Sequence, residues 1–181
     1  RIPSSAASDV YKRQDKANQL PHNYTCPQAY RTPIPAELYP TAFVKERAVE
    51  YLKGRKGNDQ PFFAFVSFPD PHHPFNPPGK YWDMYSPDQF SVDLPYEAHR
   101  NPTPAMRHVH HEWEMGAKQM SAQTARMVGE QQLKEAMALS AGMMAMIDDS
   151  VGEVIAALKE AGLYENCLLY TSDAADDGIR V

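Results

Sequence analysis

The sequence is poor in cysteine, has no long apolar run and carries no block of basic charge. Two cysteines in 181 residues, Cys26 and Cys167, lie far apart and form no Cys-x-x-Cys pair. That excludes a disulfide-dense scaffold and a four-cysteine zinc site, and leaves two free thiols as the expectation over one long-range disulfide. No apolar stretch approaches the roughly 18 to 20 residues needed to cross a bilayer, and the first residues lack the apolar core of a signal peptide. No membrane partner is expected. Eighteen basic against 23 acidic residues leave a formal charge of -5, with no Lys/Arg stripe to follow a phosphate backbone, so nucleic acid is not an expected partner either. What remains, 43% apolar and 23% charged residues, is the composition of a globular domain with one hydrophobic core.

Proline is the residue in excess. Nine of the sixteen prolines fall between Pro69 and Pro104, where they forbid regular helix and predict an extended surface loop of the kind that often carries function. On the N-terminal side, Val44, Ala48, Tyr51 and Leu52 recur at helical spacing within Thr41–Lys53, with Pro40 before and Gly54 after. The polar turn 54–59 then leads into Pro61-Phe62-Phe63-Ala64-Phe65-Val66-Ser67-Phe68. A continuous apolar run without alternation reads as a strand buried on both faces, hence a parallel sheet between helices. On the C-terminal side, Gln119 to Ala161 is helix-rich, with Met143, Ile147, Val151, Ile155 and Leu158 as a stripe and Gly162 as the stop. A second short apolar run, Cys167-Leu168-Leu169-Tyr170, ends in the polar Thr171-Ser172-Asp173. Helix, strand, long loop, helix, strand is the order of an α/β domain whose ligands gather at the C-terminal strand edge.

The site expected there is Pro69-Asp70-Pro71-His72-His73-Pro74-Phe75, two imidazoles in a proline-stiffened turn at the end of the first strand. Fixed backbone angles reduce the entropy lost in positioning a side chain, which suits a group that meets a small anion or donates one proton. By spacing alone a solvated loop with two incidental histidines fits as well. Other groupings are weaker. Asp148 and Asp149 are neighbours on a helix, about 100° apart, so helix-surface hydrogen bonding is expected of them and not chelation. His108, His110 and His111 with Glu112 lack a His-Glu-x-x-His arrangement because Met115 stands at the second ligand position. They read as a solvated His-rich segment, and the nine methionines as core packing.

Three blocks in order resemble the sulfatase family, of the alkaline-phosphatase-like superfamily, over roughly 20–167. These are Pro35–Phe43 leading into Glu46–Leu52, the strand with Pro-His-His-Pro-Phe and then Asn76–Tyr81, and Met146–Val154 followed by Leu158–Asn166. The resemblance implies an α/β sandwich with a mostly parallel sheet flanked by helices, incomplete in this chain. It implies a sulfuric ester hydrolase acting on sulfate esters or sulfamates of a small molecule or glycan, with a formylglycine made in a Cys/Ser-x-Pro-x-Arg motif beside a calcium ion. On that pattern His72 binds the sulfate and assists leaving-group protonation, as an imidazole titrating near neutrality can. His73, at the variable position, is a further substrate contact. A calcium carboxylate is expected in a Ser-Asp-His/Asn-Gly turn. Ser172-Asp173 stands in that place, but Ala174 and Ala175 follow it, so either Asp173 is a metal ligand with altered neighbours or the match is accidental.

Cys26-Pro27-Gln28-Ala29-Tyr30 does not fit the nucleophile motif, nor does any serine. The expectation is therefore a fragment, inactive alone for want of its nucleophile. Residues 1–14 (RIPSSAASDVYKRQ) and 170–181 look like translated adaptor or vector sequence, with a native disordered tail as the alternative at each end, leaving 15–169 as a partial catalytic domain. A phosphoester or phosphonate hydrolase of the same superfamily and a non-catalytic remnant are the alternatives. The resemblance points to periplasmic or secreted relatives, while oligomeric state is open.

Overall fold

A computed structural model describes residues 19–93, 101–115 and 127–170. Three helices organise them: α1 (Pro40–Gly54), α2 (Pro104–Glu114) and α3 (Glu130–Glu160). Single 3-10 turns lie at Ala36–Leu38, Gly79–Tyr81, Pro87–Gln89 and Tyr164–Asn166. Among the described residues no helix is long and apolar enough to cross a membrane. Residues 1–14, all but Tyr170 of 170–181, and with them Asp173, lie outside the described residues.

Helix α1 covers the predicted Thr41–Lys53 and one residue more at each end, a difference within the usual play of helix termini. Pro40 sits in its first turn, where a missing N–H costs nothing. The 31-residue α3 begins with the Gly129 N–H donating to Gln132 Oε1 at 3.1 Å. It stops as predicted at Gly162, whose φ of 74° only glycine adopts freely. There the Leu163 N–H reaches Leu158 O (3.1 Å) and the Gly162 N–H reaches Lys159 O (2.9 Å). Leu163 also packs on the cluster containing Leu158, which completes a Schellman stop.

Helices α1 and α3 run parallel along each other. Tyr39, just before α1, packs on Met146; Lys45 pairs with Glu153 at 3.0 Å; and Leu52 packs on Ala157 and Leu158. The buried stripe of α3 is Leu139, Met143, Met146, Ser150, Ala157 and Leu158; it takes in Met143 and Leu158 of the predicted stripe, whereas Ile147, Val151 and Ile155 are only half-buried. Small residues decide this: they let neighbouring backbone approach, most closely at Gly142, where an added Cβ would stand 2.2 Å from Tyr81 O. Leu139 and Met143 are fully buried, each contributing about 1.5–3 kcal/mol by removal from water.

The two apolar runs read as strands lie outside the helices and carry no ladder among the described residues. Among the described residues the one β-bridge is the isolated parallel pair Ala29 and Phe75, so the mostly parallel sheet is not formed by them. Phe63 and Phe65 are 89% and 82% exposed and Leu168 is 95% exposed. Their apolarity calls for neighbours on both faces and along both edges, and the described residues do not supply these. The starts of both runs, Phe62 and Cys167, pack on the same cluster of Leu52, Ala157 and Leu158 at the C-terminal ends of α1 and α3. Both thiols are free.

The His-rich segment corrects the sequence reading in one respect. It is the helix α2, with Pro104 in its first turn and the Thr103 hydroxyl accepting from the Met106 N–H (3.4 Å). His108 and His111 are exposed, but His110 is buried with Val109 and is not solvated.

Candidate functional site

The turn that carries the two imidazoles is short of backbone hydrogen bonds, because Pro69, Pro71 and Pro74 have no N–H to give. Within it the His72 N–H reaches Pro69 O at a long 3.4 Å, and the Asp70–Pro71 and His73–Pro74 peptides are cis. Its exit is fixed by the parallel bridge: the Phe75 N–H donates to Gln28 O (2.9 Å) and Phe75 O accepts from the Tyr30 N–H (3.1 Å). Phe75 and Tyr24 pack there against Cys26, Ala29, Trp82, Ala136 and Leu139. The 26–29 turn is itself anchored by a buried carboxylate. Glu135 of α3 accepts from the N–H groups of Thr25 (2.8 Å) and Cys26 (2.7 Å) and from the Thr25 hydroxyl, while Gln132 Nε2 donates to Thr25 O (3.0 Å).

The entry of the imidazole turn is held by a side chain. The half-buried Asp70 carboxylate accepts from the hydroxyl of Thr41, in the first turn of α1, and lies 3.2 Å from the Tyr39 hydroxyl. The same phenol stands 2.8 Å from Asn76 Oδ1; having one proton, it donates to one of the two at a time. Burial pushes the Asp70 carboxyl above its ordinary range, and the hydrogen bonds from Thr41 and Tyr39 oppose this. The Tyr39 phenol is pushed far up by burial and by the Asp70 charge beside it, so it serves as a donor throughout the physiological range.

His72 is exposed and His73 half-buried. Their rings stack, with centroids 4.1 Å apart and planes 28° from parallel. His72 Nδ1 lies 2.6 Å from the His73 carbonyl oxygen. A carbonyl only accepts, so Nδ1 carries the proton in this arrangement and Nε2 is left as the atom that can meet a ligand or exchange a proton.

A second ionic knot joins the 79–81 turn to α3, where Asp149 Oδ2 accepts from Tyr81 OH (2.7 Å) and Lys80 Nζ (3.0 Å). These bonds, Tyr81 first, hold the Asp149 carboxyl below its ordinary range. Asp149 has the helix-surface hydrogen-bonding role expected from the sequence, and Asp148 lines a surface cavity of about 510 Å³ with Met84, Phe90 and Met144. Among the described residues no group of three or more His, Cys, Asp or Glu side chains could hold a metal ion. They do not by themselves fit the calcium that the resemblance implies.

The turn of His72 and His73 is thus tied, through Asp70 and Asn76, to Tyr39 and Thr41; Asp70 was expected in the turn but with no role, and Tyr39, Thr41 and Asn76 were not expected at the site. Asp70 carried a signal, a carboxylate between two prolines directly before the histidines; nothing local ties Tyr39 and Thr41, some thirty residues earlier, to it.

The model of the Sulfatase family matches residues 4–177, nearly the whole chain and all of this turn. The chain belongs to the sulfatase family. This is an alkaline-phosphatase-like α/β family of hydrolases. The chain is 32% identical, over 145 residues and 77% of its length, to the multifunctional alkaline phosphatase superfamily protein PehA of Trinickia caryophylli. It is 31% identical over 146 residues, again 77% of the chain, to an arylsulfatase of Clostridium perfringens. It is also 31% identical over 130 residues, 72% of the chain, to the uncharacterized sulfatase YidJ of Escherichia coli. The matches cover 28%, 27% and 24% of these relatives, so the sulfatase-family chain spans about a quarter of their length.

Proposed function

We propose that these residues are the part of a sulfuric ester hydrolase that receives the sulfate group of a sulfated small molecule or glycan and protonates its leaving group. The observation that supports this best is the exposed His72 imidazole. Its Nδ1–H is engaged by the His73 carbonyl, which leaves Nε2 to face the substrate. In the reaction, Nε2–H of the imidazolium would donate to the departing alkoxide oxygen, and Nδ1–H would stay on its carbonyl. His73, stacked on His72, is proposed as a neighbouring substrate contact. The nucleophile, expected as a formylglycine, is supplied by another part of the polypeptide, since no Cys/Ser-x-Pro-x-Arg occurs in these 181 residues. A calcium ion and Asp173 as one of its ligands belong to the same proposal, with the remaining ligands also coming from elsewhere; no step is derived through the ion. Residues 15–169 then form a partial catalytic domain whose two extended apolar runs are strands of a mostly parallel sheet, completed by the rest of the polypeptide. Alone, the chain is inactive.

A second reading, hydrolysis of a phosphoester or phosphonate with the same turn, is supported by the likeness to the multifunctional alkaline phosphatase superfamily protein. The test is to express the complete reading frame containing these residues and follow release from p-nitrophenyl sulfate and p-nitrophenyl phosphate. His72→Ala is expected to lower kcat on the sulfate by about 10²–10⁴-fold, the range for a lost general acid. Turnover of the phosphate alone would decide for the second reading, and an unchanged kcat in His72→Ala would remove His72 from the chemistry.

A further inference from the structure

We propose that Asp70 is a positioning residue: through the hydroxyls of Thr41 and Tyr39 its carboxylate ties the imidazole turn to the start of α1, and so fixes the direction of His72 Nε2. The inference rests on His72 being the substrate-facing group. Its basis is where the turn gets its rigidity. Three prolines remove backbone donors from the turn itself, where the His72 N–H reaches Pro69 O only at 3.4 Å. At the entry the tie to α1 is therefore the Asp70 side chain, whereas the exit has the two backbone bonds of Phe75.

Asp70 fits that task by its surroundings. Thr41 is fully buried and Tyr39 is 4% exposed, so neither hydroxyl can move far to follow a displaced turn. Thr41 lies in the first turn of α1, where the helix dipole also favours a negative charge. Partners that are two hydroxyls give direction without neutralising the carboxylate, unlike the cation-paired Asp149. Asn76, sharing the Tyr39 phenol, couples the two ends of the turn through one side chain. Loss of Asp70 frees the entry, and with it the 2.6 Å contact between His72 Nδ1 and the His73 carbonyl that sets the tautomer.

The experiment uses the complete polypeptide with its histidines labelled with nitrogen-15, the His72 signals being assigned by their loss in His72→Ala. In the unaltered protein the neutral His72 ring is expected as the Nδ1–H tautomer, and in Asp70→Ala as an exchange-averaged mixture. Asp70→Asn, which keeps one acceptor oxygen, is expected to retain most of the Nδ1–H signature. An unchanged signature in Asp70→Ala overturns the proposal. If that variant does not fold, Thr41→Val and Tyr39→Phe carry the same test, each expected to shift the tautomer part-way, and no shift in either overturns it.

Kinetics on p-nitrophenyl sulfate separate this proposal from the reading it rests on. Asp70→Ala is expected to lower kcat by about 10–100-fold at nearly constant KM, the scale of a misplaced group. Added to His72→Ala it should cost nothing more, because residues acting as a unit are non-additive. Additive losses would place Asp70's effect elsewhere and overturn the proposal. A His72→Ala enzyme with full activity would instead overturn the reading of His72, whatever the spectra of Asp70→Ala.

Discussion

At the scale of single residues, close approach governs this chain more than side-chain volume. Gly142 lies in the middle of α3, where glycine costs about 1 kcal/mol relative to alanine. Helix propensity alone therefore predicts that Gly142→Ala stabilises. The geometry predicts the opposite, since the new Cβ would stand 2.2 Å from the Tyr81 carbonyl oxygen and also meet Pro77. Neither neighbour is a flexible side-chain end, and Tyr81 is further tied to α3 through Asp149. Relief requires the 77–81 segment to shift, a cost of about 1–3 kcal/mol for overpacking that outweighs the propensity gain. Gly142→Ala is expected to lower stability by up to about 2 kcal/mol net in urea unfolding, and a stabilised variant would show that the segment yields easily.

At the scale of elements, local signals found the helices and missed what joins them. The ends of α1 and the Gly162 stop of α3 were legible because capping and proline placement are local. The inward face of α3 was legible only at Met143 and Leu158, because Leu139, Ser150 and Ala157 become core only once α1 and the 24–30 and 75–82 segments are in place. The imidazole turn was legible as Pro-His-His-Pro, but its supports were not. Glu135, Thr41 and Tyr39 are ordinary residues in sequence, and only folding brings Glu135 onto amides more than a hundred residues away. Glu135 also yields the clearest test at this scale. It is buried and accepts from two backbone N–H groups at 2.8 and 2.7 Å. Removing it leaves those donors unsatisfied, at about 1–3 kcal/mol each. Glu135→Ala is expected to destabilise by about 3 kcal/mol or more, and Glu135→Gln, which keeps one acceptor, by roughly half as much. Equal losses from the two substitutions would show that the charge, and not the acceptor, holds the 25–29 turn.

At the scale of the whole molecule, the chain is a helical layer with two apolar extended segments and no sheet among its described residues. Phe63, Phe65, Leu168 and Tyr170 are each more than three-quarters exposed, a placement that monomeric proteins avoid for contiguous large apolar side chains because it invites edge pairing. The sequence read these runs as buried strands, and the family to which the chain belongs is α/β, so the two observations meet if the remaining strands come from elsewhere in the polypeptide. One substitution then has opposite consequences in two contexts. In the isolated 181-residue chain, Phe65→Lys removes apolar surface from an unpaired segment and adds a charge that opposes edge pairing, so it should reduce self-association in sedimentation velocity and leave helix content unchanged. In the complete polypeptide the same lysine would be buried in a sheet without a partner, a desolvation cost of several kcal/mol, and folding yield and Tm should fall sharply. Tolerance of Phe65→Lys in the complete polypeptide would mean that the 61–68 run stays at the surface there too, and that the sheet is built without it.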